Sequence, residues 1–534
     1  MMIGCLPSRA SSLVLIALLA GLATVTRAGD ARAQLTDQTQ TPNSAEEGIA
    51  LSLEDQIGVG QGDENTPNSS TFIIRRDPAR AVRRGRQLFQ RKFTRAQGNG
   101  PRIGDGVGNI EEIAGLGAGF ADSCAACHGR PRGSAGFGGD VFTRPDSRDA
   151  PHLFGLGLQE QLADEITRDL RALRDGAVAQ ASETGEAVTV PLESKGINFG
   201  EVTANPDGSV DTSGVDGIDA DLRVRPFFAD GRTISIREFI VGAFADEMGM
   251  EAFDPCLQQA VDGGVCTTAG GLVLDGSLDT IEAPRISSVD EDGDGDGVVN
   301  EIDAALLDFM EFYLLNYFRP GIGEQTEGTE RGFAIFEEIG CGTCHIRNLT
   351  IDSDRRVADI DTRFDPERGN FNRLFAEAST LFGPPVEDGQ ELPQLLPAGE
   401  PFVVENIFTD FKRHDLGPNF AELNFDGTLL REIVTEPLWG VGSTSPYGHD
   451  GRSINLTEVI LRHGGEAQDS RDAFVALQYR DQRRVLEALN SLILFPPDDT
   501  ASNLDPGDPA QPDFPQIGHG SIRLPELFTT LGPE

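Results

Sequence analysis

Cys124-Ala-Ala-Cys127-His128 and Cys341-Gly-Thr-Cys344-His345 are two copies of C-x-x-C-H in one chain. The pattern serves covalent haem attachment: two thiols add to the haem vinyl groups and the adjacent histidine becomes an axial ligand of the iron. Cys and His each occur only seven times in 534 residues, so composition does not account for two complete copies. A dithiol redox pair or a zinc site gives no reason for a histidine directly after the second cysteine both times. Cys124, Cys127, His128, Cys341, Cys344 and His345 are therefore expected to hold two covalently bound haem c groups.

Helical periodicity surrounds both motifs. Ala81 to Phe93 read as the first helix, and Arg331-Gly-Phe-Ala-Ile-Phe336 leads into the second motif with a faint echo of Arg84-Gly-Arg-Gln-Leu-Phe89. Residues 156–175 carry Leu158, Leu162, Ile166, Leu170 and Leu173 on one helical face. A helix after Ile234 stops at Gly249, and an apolar helix, Ile302 to Phe318, ends at Pro320-Gly321. Residues 470–495 read as one closing amphipathic helix with Asp481 as a cap and Val485, Leu489 and Leu492 as its stripe. The chain holds 63 Gly and 31 Pro, so the remainder reads as long loops, 350–445 above all, with β-like alternation in 185–232.

The N-terminus reads as a secretory signal. Arg9 gives the positive start, Leu13 to Ala23 the apolar run, and Ala31-Arg32-Ala33 a small-x-small cleavage site. That run is too short to favour a membrane span, and none longer follows. Location is expected to be periplasmic or secreted. Cys256 and Cys266, ten apart, are expected to pair in that oxidising setting; two free thiols are the alternative. A net charge of −42 repels phosphate backbones, which argues against nucleic acid. Asp292-Gly-Asp294-Gly-Asp296-Gly297-Val298-Val299-Asn300-Glu-Ile-Asp303 has the spacing of an EF-hand calcium loop, with Asp292, Asp294, Asp296, Val298 and Asp303 as ligands. Position 12 is Asp instead of the usual Glu, and the alternative is a solvated acidic loop.

The sixth iron ligands separate electron transfer from catalysis, because an iron open on one side can bind a substrate. Met248, Met250 and Met310 all precede the second motif, whereas His414, His449, His463 and His519 follow it. His463 sits at the end of a short helix that Asn455 and Glu458 can cap, four residues after Val459 on its apolar face. The ordinary alternative is a histidine satisfied by the last helical carbonyls. His152, in Ala150-Pro-His-Leu-Phe, is a candidate to close the first haem, although a loop histidine more often only makes hydrogen bonds.

Residues 436–476, EPLWGVGSTSPYGHDGRSINLTEVILRHGGEAQDSRDAFVA, resemble the signature of bacterial dihaem cytochrome c peroxidases and their dihaem oxidoreductase relatives. The nearest resemblance is to the family labelled dihaem oxidoreductase, putative peroxidase (thiol-oxidoreductase-like). Residues 409–417, TDFKRHDLG, and 226–250, PFFADGRTISIREFIVGAFADEMGM, extend it over roughly 80–500. The resemblance implies a second-haem ligand fourteen residues after His449, which is His463 and not the usual Met. It implies that Glu247 is the distal acid–base group. It also shows departures: Arg237 and Val241 stand where peroxidases carry Gln and Pro. The sole tryptophan, Trp439, falls outside the usual bridge between haems and is expected to pack beside the second one.

The expected fold is mainly α: two cytochrome c-like domains with long Gly/Pro-rich loops and a few short strands. The expected order is a signal peptide (1–33), a flexible lead-in (34–78), an N-terminal haem c domain (79–320) with the calcium loop at 292–303, a C-terminal haem c domain (321–500) and an extended tail (501–534). The expected activity is reduction of hydrogen peroxide with electrons passed from haem two to haem one. An electron-donor cytochrome or small redox protein would supply them, and the acidic surface suits a basic donor. The rivals are a dihaem oxygenase acting on a hydrophobic substrate and a pure dihaem electron carrier.

Overall fold

Gly85 and Gly332 each stand at a close helix crossing, and the cores around the two motifs are built there. The computed structural model describes residues 69–76, 78–93, 97–99, 121–128, 150–293, 297–356, 358–369, 373–380, 382–383, 394–395, 401–423 and 428–494. These lie within one compact unit, Leu51–Glu534. The signal peptide, nearly all of the lead-in, the tail, Asp294, Asp296 and His519 fall outside the described residues.

Helices α1 (Ser70–Arg76) and α2 (Pro78–Gln90) precede the short α3 (Cys124–His128), which is the first motif itself. Then come α4 (Leu156–Thr184), α5 (Ile236–Met248), α6 (Pro255–Val261) and α7 (Ala304–Leu315). In α2, Gly85 lets the backbone approach Phe309 and Tyr313 of α7: an added Cβ would lie 2.1 Å from the Phe309 oxygen. Ala81, Leu88, Phe89, Phe309, Met310 and Tyr313 close the core around this crossing. Helix α8 (Glu327–Glu338) leads into the second motif and packs on α11 (Tyr479–Asn490) in the same manner. There Gly332 faces the Arg484 oxygen, 2.0 Å from an added Cβ, with Phe333, Phe336, Val485 and Leu489 buried around it. The faint RGRQLF/RGFAIF echo thus marks equivalent helix crossings.

α4 ties these regions together. Leu158, Leu162, Ile166 and Leu170 are buried, whereas Leu173 is exposed. Its buried Glu160 accepts from the Ile236 N–H and pairs with Arg355, and Glu165 accepts from the Asp352 and Ser353 N–H groups and pairs with Lys195. α5 starts with a capping box, Ser235 with Glu238, and stops at Gly249 in the left-handed region (φ 62°). The closing segment is two helices, not one: α10 (Gln468–Ala476) and α11, with the short α9 (Leu456–Arg462) ahead of them. Gln478 holds the N-cap position of α11, and Asp481 lies in its first turn, paired with Arg484.

The mainly-α expectation is wrong. Of the described residues, 39% are helical and 16% lie in strands, in several separate sheets. Val188–Ser194, Ile197–Ala204 and Val210–Asp211 form an antiparallel sheet. Ala358–Phe364 pairs with Leu374–Thr380, and Gly321–Ile322 and Leu492–Ile493 extend that sheet to four strands. Short pairs join 349–351 to 402–404 and 413–415 to 432–434. The longer strands pair with their neighbours in sequence, 188–194 with 197–204 and 358–364 with 374–380, whereas 321–322, 492–493 and 349–351 find partners far along the chain, and short polar runs such as ADIDTRF carry little strand signal of their own. Cys256 and Cys266 form a disulfide with Cα atoms 5.5 Å apart. Among the described residues no helix is long and apolar enough to cross a membrane.

Candidate functional sites

The first motif opens onto a cavity whose walls include Cys124, Cys127, His128 and Glu247. One face of α5 supplies Phe239, Ile240, Ala243, Phe244, Glu247 and Met248 to the wall. Phe89, Leu153, Met310 and Leu314 make the rest apolar. Glu247 is fixed from both sides of the chain: its carbonyl accepts from the Ala121 N–H at 3.0 Å, and Asn99 Nδ2 donates to the next carbonyl, that of Met248, at 3.0 Å. The segment entering the first motif is thereby sewn to the end of α5.

Arg237 and Val241 lie on another face of α5 and take no part in the cavity wall. Arg237 is fully buried, bonded to Asp254, to Asp308 at 2.7 Å and to Glu311 at 3.3 Å. It anchors α5 to α6 and α7, which accounts for an arginine at this position without a catalytic role.

His128 Nδ1 lies 2.7 Å from the Pro151 oxygen. His345 Nδ1 lies 3.0 Å from the Phe408 oxygen, and His463 Nδ1 lies 2.8 Å from the Val459 oxygen. A carbonyl can only accept, so each Nδ1 carries the hydrogen and each Nε2 presents its lone pair. Among the described residues none of these Nε2 atoms has a hydrogen-bond partner. That is how a protein sets the tautomer of an iron-ligating histidine. Burial lowers the pKa of all three, for His345 to about 4, so they stay neutral and able to ligate. His345 and His463 are close enough to interact electrostatically. Phe420 packs edge-on to His463, with ring centroids 5.0 Å apart. Cys124, Cys127, Cys341 and Cys344 are not in disulfides, and burial pushes Cys124 and Cys341 up to about 12. Neutral thiols beside an unpaired imidazole nitrogen, in an apolar cavity at the first site, fit a haem.

The Phe408 carbonyl is presented by a tight loop in which Asn406, Phe408 and Phe411 all have φ between 55° and 58°. Left-handed backbone costs a bulky residue of order 1–3 kcal/mol and is retained where surroundings over-determine it. The same loop carries Asp410. His414 bonds to Asp410 through Nε2 at 2.9 Å and to Glu466 through Nδ1 at 2.8 Å. Cys344, Asp410 and His414 place one ligand-type atom each within 4.8 Å of one another. Burial pulls the His414 pKa down, but bonds to Asp410, Cys344 and Glu466 outweigh it and raise it to about 11. A fixed imidazolium therefore stands beside the second motif. The sequence marked His414 only as a free candidate ligand, because its two carboxylate partners are brought by tertiary contact.

The other candidates divide differently. His449 pairs with Glu422 at 3.2 Å. His152 Nε2 is 3.0 Å from the Trp439 oxygen, and its Nδ1 accepts from the Phe154 N–H at 3.2 Å. Both of its nitrogens are engaged, so it does not close the first site. Trp439 is buried against Gly155 in a cluster that joins the α4 core to Phe411 and to Ile346 and Ile407, the chain neighbours of His345 and Phe408. Its indole Nε1 is buried with no partner. At the calcium loop, Asp303 caps α7 by accepting from Ala305 N–H, while Asp292 accepts from Gly297 N–H and keeps one buried oxygen unpaired. Among the described residues the acids of this loop do not converge as a metal-binding group.

Two C-x-x-C-H motifs, each with a pre-set imidazole, are what a dihaem protein requires. Residues 403–492, which include His414, His449 and His463, match the family model described as di-haem oxidoreductase, putative peroxidase. Among solved structures, Kuenenia stuttgartiensis hydrazine synthase, pressurised with 20 bar xenon, is similar at 16% identity and TM-score 0.22, over 38% of this chain. This chain covers 59% of that one, less than two thirds of its length, and at such a score the likeness bears on neither fold nor activity. No curated protein matches the chain.

Proposed function

We propose that the protein is an exported dihaem c-type oxidoreductase that reduces hydrogen peroxide to water. The observation that carries this reading is the shared cavity, which sets the Glu247 side chain among the walls that hold Cys124, Cys127 and His128. Cys124 and Cys127 would hold one haem with His128 as ligand; Cys341 and Cys344 would hold the other between His345 and His463. When bound, the haems supply stored electrons at the second site and, at the first, the iron that divides the O–O bond. Glu247 would take a proton from one peroxide oxygen and give it to the other, the role of a positioned acid–base group. Overall, peroxide, two electrons and two protons yield two waters. Phe89, Phe239 and Phe244 exclude bulk water from the carboxylate. This apolar wall is what a porphyrin face requires, so it does not separately favour a hydrophobic substrate.

The disulfide supports export, since such bonds persist in oxidising compartments. The net charge of −42 supports a basic donor cytochrome or small redox protein. A calcium ion at the 292–303 loop belongs to the same reading, with Asp292 and the Val298 carbonyl as its described donors. The test is a spectral titration of the half-reduced protein with peroxide. Loss of the ferrous signal at one peroxide per two electrons supports the reading. No reaction, with both irons low-spin, makes the protein an electron carrier. A stable oxygen-bound form without peroxide turnover makes it an oxygenase.

A further inference from the structure

We infer that His152 and the Trp439 carbonyl form the electron path between the two haem sites; this rests on the dihaem reading above. The path can be followed atom by atom. His128 Nδ1–H donates to the Pro151 oxygen at 2.7 Å. Pro151 is bonded to His152, whose Nε2–H donates to the Trp439 oxygen at 3.0 Å. Trp439 is bonded to Leu438, whose N–H donates to the Ile407 oxygen at 3.0 Å. Ile407 is bonded to Phe408, whose oxygen accepts from His345 Nδ1–H at 3.0 Å. Covalent bonds and four hydrogen bonds thus join the two iron-facing imidazoles without a van der Waals gap. Electronic coupling falls off more slowly along bonds than across gaps, and this route between the two imidazoles is bonded throughout.

The link is held rigidly. The Phe154 N–H occupies His152 Nδ1 at 3.2 Å, which forces the hydrogen onto Nε2, the atom that faces Trp439. Gly155 lies so close to the Trp439 ring that an added Cβ would stand 2.7 Å from it. Phe154, fully buried, packs edge-on to the His152 ring. In each transfer one electron leaves the iron held by His345 and His463, which is oxidised. It arrives at the iron held by His128, which is reduced. No bond breaks and no proton leaves His152. His152 is therefore a positioning residue that neither touches substrate nor ligates iron.

The test uses two variants of the full dihaem protein. His152→Gln keeps a donor at the place of Nε2, whereas His152→Asn keeps only the atom nearest Nδ1. After flash reduction of one haem, redistribution of the electron between the two haem spectra gives the transfer rate. Midpoint potentials and melting temperature are measured alongside. The expected result is a near-native rate for His152→Gln and a rate roughly 10-fold or more lower for His152→Asn, with potentials and melting temperature alike in both. Equal rates in the two variants would overturn the path. Loss of a low-spin iron signal in both would also overturn it, by making His152 a ligand. Absence of covalent haem from the wild-type chain would sink the dihaem reading itself.

Discussion

Replacing Gly332 with Ala tests whether the α8–α11 crossing sets the second site. The added Cβ would lie 2.0 Å from the Arg484 oxygen and 2.8 Å from the Ala488 Cβ. Carbon needs about 3.5 Å, so the helices must part by roughly 1.5 Å. Overpacking of this kind costs typically about 1–3 kcal/mol. Ala regains about 0.8–1 kcal/mol of helix propensity. The obstacle is a backbone oxygen that cannot rotate away, so the upper end of the overpacking range applies and the net is a loss of roughly 2 kcal/mol. Gly85→Ala, 2.1 Å from the Phe309 oxygen, should behave alike. Gly176, inside α4 with nothing within 4 Å, is the control: its Ala variant should gain about 0.5–1 kcal/mol. Urea unfolding followed by circular dichroism reads all three, and the signs must differ. Because α8 runs directly into Cys341, Gly332→Ala should also lower haem content at the second site. A Gly332→Ala protein as stable as the native one would refute the reasoning.

Three further outcomes are expected. Glu247→Gln should slow peroxide-dependent oxidation by on the order of 10²–10⁴ in stopped-flow traces while leaving the haem spectra unchanged; an undiminished rate removes Glu247 from the mechanism. His463→Met should raise the midpoint potential of the second haem in a redox titration, since Met ligation favours the reduced iron; an unmoved potential means that His463 is not a ligand. His414, with a folded pKa of about 11 against an ordinary 6.5, binds its proton more tightly when folded. Its contribution to stability is complete below about pH 6.5 and is lost as pH rises toward 11. His414→Gln should flatten that alkaline decline in melting temperature, and an unchanged slope argues against the Asp410–His414–Glu466 network.

What could be read from the chain alone was what is contiguous in it. Each C-x-x-C-H motif is five neighbouring residues. The stop of α5 at Gly249 is a local matter of a glycine in the left-handed region. The resemblance in the C-terminal stretch accords with the family match over 403–492. The RGRQLF and RGFAIF echo was visible, but not its meaning, because a glycine is a contact point only once α7 and α11 lie against it. Tertiary structure alone decided the rest. The strands 321–322, 349–351 and 492–493 form because distant segments complete their hydrogen bonds, which two- and three-residue runs do not announce. Arg237 is structural because Asp254, Asp308 and Glu311 converge on it from α6 and α7. His152 read as a candidate iron ligand until folding placed the Trp439 carbonyl against its Nε2. A side chain's chemistry is written in its residue type, but its tautomer, charge and reach depend on atoms that only the folded chain brings near.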